Sequence, residues 1–218
     1  MDKKIPSISD AAIIFDNIGI RLISRNDCKP FLLEIHYAKR MPHVKFAFGA
    51  FYDNNLLGVI TYGVPANNNL NSLGNFSCLE LNRLCLKDNI KNLSSFLIGN
   101  SLKLLPRPLA LVSYADSLHN HCGYVYQATN WIYCGISKGD KEYEINGKLF
   151  HRKNCFNKFG TGSLVKIQEL FGVDNVKVIL QGDKYRYFQL LGNKKQKKEM
   201  KATLESKYKI LPYPKIVK

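Results

Sequence analysis

Residues 109–135 read L-A-L-V-S-Y-A-D-S-L-H-N-H-C-G-Y-V-Y-Q-A-T-N-W-I-Y-C-G. The apolar run 109–112 has the look of a buried strand, and 131–136 of another. Between them lie Asp116, His119, His121, Cys122, Tyr114, Tyr124 and Tyr126, too many polar groups for a core. A short helix is expected at 124–129. Strand ends that open into polar, aromatic loops are where α/β folds place their chemistry.

Working outward, residues 18–23 read as a first strand. Asn26 or Asp27 can cap a helix running to Lys39, with Pro30 in its first turn and Phe31, Leu32, Ile35 and Ala38 at helical spacing. Pro42 stops it. Two β-rich runs, 44–52 and 56–64, flank D-N-N and form the clearest hairpin in the chain. An asparagine-rich loop follows at 67–75, then a strand at 78–86 carrying Glu80, Asn82 and Arg83. A helix at 92–105 ends at P-R-P. The order over 18–136 is thus β-α-β-β-β-α-β-α-β. Beyond it come a strand pair around Asn146-Gly147 within 141–159, an amphipathic helix at 162–171 and strands at 176–180 and 185–191. A Lys-rich helix at 194–206 precedes L-P-Y-P-K. The expected division is a core over 1–138 and a basic C-terminal α/β extension over 139–218 packed on it.

Composition narrows the partners. The chain has 218 residues, 45% of them hydrophobic, and 32 basic against 17 acidic residues give a net charge of +15. No apolar run reaches the length of a membrane span and no signal peptide is evident, so the expected setting is cytoplasmic, away from membranes. Residues 184–218 hold eleven Lys/Arg against Glu199 and Glu205, a net of +9. Tyr185, Tyr187, Phe188, Tyr208 and Tyr213 interleave with these charges, a mixture suited to phosphate contact and base stacking. A merely solubilising tail is the alternative. Lys194, Lys195, Lys197, Lys198 and Arg186 are the expected nucleic-acid contacts. The six cysteines contain no C-x-x-C pair, so reduced, buried thiols are expected, with Cys122 the one to test for reactivity.

The order of elements is that of the GCN5-related N-acetyltransferase (GNAT) fold, in which the fourth and fifth strands of a mixed sheet splay apart to admit a pantetheine arm. More specifically, H-Y at 36–37, L-E-L-N-R-L-C-L at 79–86, S-Y-A-D at 113–116, the run 123–135 and the tail K-Y-R-Y-F…G-N-K-K-Q-K-K…L-P-Y-P-K resemble the phage Mom family. The likeness covers most of the chain from residue 18 to 215. It implies a GNAT-like core and an enzyme that converts adenine in DNA to an N6-carbamoylmethyl (acetamido) derivative, shielding phage DNA from restriction. Ordinary acetyltransferases carry a glycine-rich pyrophosphate loop before the central helix. Here the matching stretch is K-D-N-I-K-N-L-S-S, 87–95, without glycine. Lys87, Lys91 and the helix N-terminus remain the candidate anion site. The donor expected is acetyl-CoA or a related acyl or aminoacyl carrier.

Adenine N6 is a poor nucleophile, and the family's product carries an N–CH2 bond, so more than deprotonation is needed. His36, Tyr37 and Asp116 are the expected catalytic set. One nitrogen and two oxygen donors would suit an iron-type ion. Alternatively His36 is a general base oriented by Asp116, with Tyr37 or Tyr126 as acid. A hydrogen-bonded core histidine is the ordinary alternative for His36. Tyr126 stands where many acetyltransferases place the proton donor to the leaving thiolate, with plain packing as the alternative. Arg83 is a candidate clamp for phosphate or carboxylate, or a salt-bridge partner of Glu80 or Asp88. Ser101 is a candidate to face the cofactor. H-N-H-C at 119–122 lacks the Glu and P-C-x-x-C of zinc deaminases and is read as a loop. Three functions compete: a Mom-type transferase on adenine in double-stranded DNA, an acyl-CoA-dependent N-acyltransferase on another amine, and a non-catalytic nucleic-acid-binding protein. A homodimer is compatible with each.

Overall fold

The computed structural model describes residues 15–119, 122–139 and 141–215. These fall into two compact units. Unit 1 comprises 15–114, 123–135 and 187–213; unit 2 comprises 115–119, 122, 136–139, 141–186 and 214–215. His121 and Asn120 of the H-N-H-C stretch lie outside the described residues.

Unit 1 is built on a mixed sheet. β1 (Gly19–Leu22), β2 (Phe46–Tyr52) and β3 (Asn55–Gly63) pair antiparallel, and β3 pairs antiparallel with β5 (Phe76–Leu86), to which the short β4 (Ser72–Leu73) is attached. The β2–β3 turn places Asp53 and Asn54 at φ 45 and 64, the left-handed pair that a two-residue hairpin turn asks for. α1 (Leu93–Leu104) carries the chain over to β6 (Leu109–Asp116), which runs parallel to β5. α2 (Tyr124–Ala128) and β7 (Ile132–Ser137) follow. The order across the sheet is β1-β2-β3-β5-β6-β11-β7, with β11 spanning Lys184–Leu191. β11 carries buried Tyr187, Phe188, Leu190 and Leu191, apolar on both faces as an interior strand requires. The core therefore does not end at residue 138. It takes an interior strand and α5 (Lys194–Lys207) from the segment expected to be an appended extension, and residues 138–183 are an insertion between β7 and β11.

Among the described residues, two apolar clusters pack against the sheet. Cys28, Phe31, Leu32, Ala47, Val59 and Cys85 pack together at one end. Leu70, Leu73, Cys78, Ala110, Val112, Cys134, Phe188, Leu190, Met200 and Leu204 form the other, which buries α5. The helix expected to reach Lys39 is shorter. Phe31–Ile35 is a π-helical segment that ends where His36 turns extended at ψ 134. There the His36 ring accepts the Ala38 N–H, a local bond that competes with helix continuation.

Unit 2 has its own three-stranded antiparallel sheet, in the order β10 (Val176–Leu180), β8 (Lys141–Ile145), β9 (Lys148–His151). Asn146 and Gly147 make the turn at φ 50 and 74. α3 (Arg152–Phe159), where the sequence suggested strand, and α4 (Leu164–Phe171) bury Cys155, Ile167, Phe159 and Phe171 with Tyr143, Ile145 and Val176.

Candidate active site

The parallel pairing of β5 and β6 lasts three residues, Cys78–Glu80 against Ala110–Val112. β5 continues to Leu86 and β6 to Asp116, so the two strands part beyond Glu80. The cause is local. In the β3–β5 ladder Thr61 faces Arg83 and Tyr62 faces Leu81, leaving Asn82 as a bulge. A bulge bends its strand and interrupts the ladder. Asn82 is pinned there: its Nδ2 donates to the His43 carbonyl at 2.9 Å and its Oδ1 accepts from the Thr61 hydroxyl at 2.6 Å.

Hydroxyl pairs line the parting. Ser113 Oγ lies 2.8 Å from the Leu81 carbonyl and 2.8 Å from the Tyr126 hydroxyl. A carbonyl only accepts and serine has one proton, so Ser113 donates to Leu81 and Tyr126 donates to Ser113. The same logic sets Tyr62, which donates to Ser101 Oγ at 2.7 Å while Ser101 donates to the Ile98 carbonyl at 2.9 Å. The Tyr126 ring rests between Trp131 and Tyr187, each centroid 5.2 Å away. Burial pushes the Tyr126 phenol up to about 12, with the charges of Tyr37 and Glu80 adding to it and the Ser113 bond opposing. Tyr126 is thus a protonated acid at neutral pH.

Arg83 stands beside this cluster, half-buried on β5. Its Nη1 donates to the Asn82 carbonyl at 2.6 Å, and its buried Nε has no partner among the described residues. Burial lowers its pKa first and the neighbouring Arg40 lowers it further, against the pull of Tyr37 and Glu80. Tyr37 and Glu80 act on both Arg83 and Tyr126, so these four side chains share one region of unit 1. Glu80 also accepts the Ala66 N–H at 2.9 Å. Glu80 and Ser113 were not singled out as site residues from sequence. A glutamate and a serine within apolar strands were the available signal.

The remaining expected residues are placed as follows. His36 stacks on Tyr37 with centroids 4.4 Å apart, and its Nδ1 accepts from Ala38 N at 3.0 Å. A neutral ring so bonded carries its proton on Nε2, which makes Nε2 a donor. A metal ligand or base at Nε2 needs the opposite tautomer. Asp116 ends β6, within unit 2, where its Oδ1 accepts from Leu118 N at 3.0 Å. Among the described residues no three His, Cys, Asp or Glu side chains form a metal-holding group. The bond from Ala38 N to His36 Nδ1 gives no support to an iron set of His36, Tyr37 and Asp116. Ser101 is fully buried and engaged with Tyr62. Cys122 is buried.

The segment ahead of α1 offers groups that could hold an anion. Asn92, directly ahead of α1, has φ 64 and offers no side-chain cap to the first turn. Asparagine here supplies the left-handed turn that glycine supplies elsewhere. Lys87 and Lys91 are exposed on the same loop. A groove of about 720 Å³ between β1 and β2, lined by Arg21, Ile23, Asp27 and Phe51, involves none of these groups. Lys194, Lys195, Lys197 and Lys198 are exposed at the start of α5, while Arg186 is half-buried on β11. No helix among the described residues is long and apolar enough to cross a membrane.

Residues 17–215 match the model of the Mom protein family. The chain is 29% identical over 193 residues to the methylcarbamoylase mom of Escherichia phage Mu, covering 83% of this chain and 76% of the phage protein. Among solved structures it is similar to one assigned as a phosphinothricin N-acetyltransferase, 12% identical with a TM-score of 0.48 over 81% of this chain and 99% of the other. It is also similar to an N-acetyltransferase from Staphylococcus aureus Mu50, 11% identical with a TM-score of 0.45 over 79% of this chain and 97% of that one.

Proposed function

The chain belongs to the Mom protein family, and on that premise we propose that it is a transferase acting on adenine N6 in double-stranded DNA. The product in this reading is the N6-carbamoylmethyl derivative, which shields DNA from restriction. The observation that carries the reading is the family match over residues 17–215, which takes in both the parted strands of unit 1 and the basic α5.

The chemistry asks for a bond from N6 to the methylene carbon of the donor's two-carbon unit to form while that carbon's bond to its leaving group breaks, with the N6 proton passing to solvent and the leaving group taking up a proton. Tyr126 supports the last of these, being buried, held in place and protonated at neutral pH. His36 serves as a hydrogen-bond donor through Nε2 instead of as a base. Arg83, with a buried Nε to satisfy, suits a carboxylate or phosphate of the donor. The donor is an acyl or aminoacyl carrier, and Lys87, Lys91 and the first turn of α1 would hold its anionic end. Asp116 keeps its place in the proposal as the polar end of β6. DNA is held by the four lysines of α5. Placing Lys194, Lys195, Lys197 and Lys198 at a helix N-terminus opposes the macrodipole, so the arrangement is suited to an external polyanion more than to helix stability.

Mass spectrometry of deoxynucleosides from cells expressing the protein tests the reading. A mass-shifted deoxyadenosine is expected with the wild type and a strong reduction of it with Tyr126→Phe. Unmodified DNA beside folded wild-type protein would rule the reading out.

A further inference from the structure

We propose that Ser113 is a positioning residue of this reaction: its hydroxyl fixes the Tyr126 hydroxyl at the point where β5 and β6 part. The proposal rests on the functional reading above for what Tyr126 does, and on geometry for how it is held.

The last main-chain pair between the two strands is Glu80 with Val112. One residue on, a side chain takes over from the backbone ladder, as Ser113 Oγ donates to the Leu81 carbonyl at 2.8 Å. A hydroxymethyl group set between two backbones holds them further apart than a direct N–H···O bond would. Ser113 therefore spans the start of the gap with its one proton committed to Leu81. That commitment dictates the direction of the next bond: Tyr126 donates and Ser113 Oγ accepts, at 2.8 Å. The ring cannot easily choose another place, because Trp131 and Tyr187 flank it. Ser113 is 1% exposed and Tyr126 8%, so water does not substitute for either partner. One serine thus couples the width of the parting to the direction of an acid's proton. Alanine would leave a buried carbonyl and a buried phenol both short of a partner, whereas threonine would keep the hydroxyl.

The test uses full-length protein labelled with 3-fluorotyrosine, with the Tyr126 resonance identified by its loss in Tyr126→Phe. Ser113→Ala is expected to shift that resonance and to cut turnover at saturating DNA by about tenfold or more, a fraction of what a placed proton donor supplies. The KM for DNA should stay unchanged. Ser113→Thr should restore both signals, and Ser113→Ala should slow a Tyr126→Phe enzyme no further. If Ser113→Ala does not fold, Ser113→Cys makes the same comparison with a weak hydrogen-bonding group. A Tyr126 resonance unmoved by either substitution, or losses from Ser113→Ala and Tyr126→Phe that multiply, overturns the proposal. If the wild type yields no modified deoxyadenosine the functional reading fails, while the fluorine signals still decide whether Ser113 holds the phenol.

Discussion

Gly123 shows how tightly single residues constrain this site. It precedes α2 at φ +85, and a Cβ placed there would collide with the Tyr187 ring. Tyr187 is fully buried, flanks Tyr126, and its hydroxyl accepts from Gln127 Nε2 at 3.2 Å. Gly123→Ala is expected to cost about 2–4 kcal/mol, combining overpacking with backbone strain. Urea unfolding measures it, and a change below about 0.5 kcal/mol, within the range of an ordinary surface substitution, would contradict the close approach. Tyr126 was legible from sequence through its place in the 123–135 run, but Ser113 was not. A serine at the end of an apolar strand has no distinguishing neighbour in the chain. Its meaning comes from Leu81, 32 positions away.

Among the elements, α5 was read from sequence to within a residue, because its start is written locally. Asn193 accepts from Gln196 N and Gln196 Oε1 accepts from Asn193 N, both at 2.9 Å, a reciprocal cap over the first turn. Asn193→Ala should lower stability by about 1 kcal/mol. Replacing Lys194, Lys195, Lys197 and Lys198 with Gln should leave stability near the wild type. It should reduce the slope of log affinity for duplex DNA against log salt by about 0.9 for each phosphate that the helix no longer neutralises. An unchanged slope would place DNA elsewhere. The element after Pro30 was read less well. Apolar spacing suggested a helix to Lys39, while the structure turns at His36, where a side-chain bond to Ala38 N replaces the next helical one. α3 was missed for a similar reason, since R-K-N-C-F-N-K-F has few strong helix formers and gains its place by burying Cys155 and Phe159.

For the whole molecule, buried acids make stability depend on alkaline pH. Burial pushes Cys28 and Cys85 up to about 11, and Cys78 and Tyr126 up to about 12. Each folded-state value lies above the unfolded one, 9.0 for the thiols and 10.0 for the phenol. Their contribution is therefore complete below about pH 9 and is lost as pH rises toward 12, when the unfolded chain ionises first. The urea midpoint should hold steady from pH 7 to 8.5 and fall progressively above 9. All six cysteines are buried, so a thiol reagent should find almost none before unfolding.

By itself the sequence determined the family and the order of nearly all strands and helices. Those follow from periodicity, turn residues and motif likeness, which are local or additive along the chain. The tertiary structure alone decided that β11 enters the core sheet between β6 and β7. It also decided that Asn82 bulges where the strands part, and that Ser113 spans the gap to the Leu81 carbonyl. Strand neighbours and hydrogen-bond directions depend on which distant groups compete for the same backbone and the same proton. No local stretch of sequence records that competition.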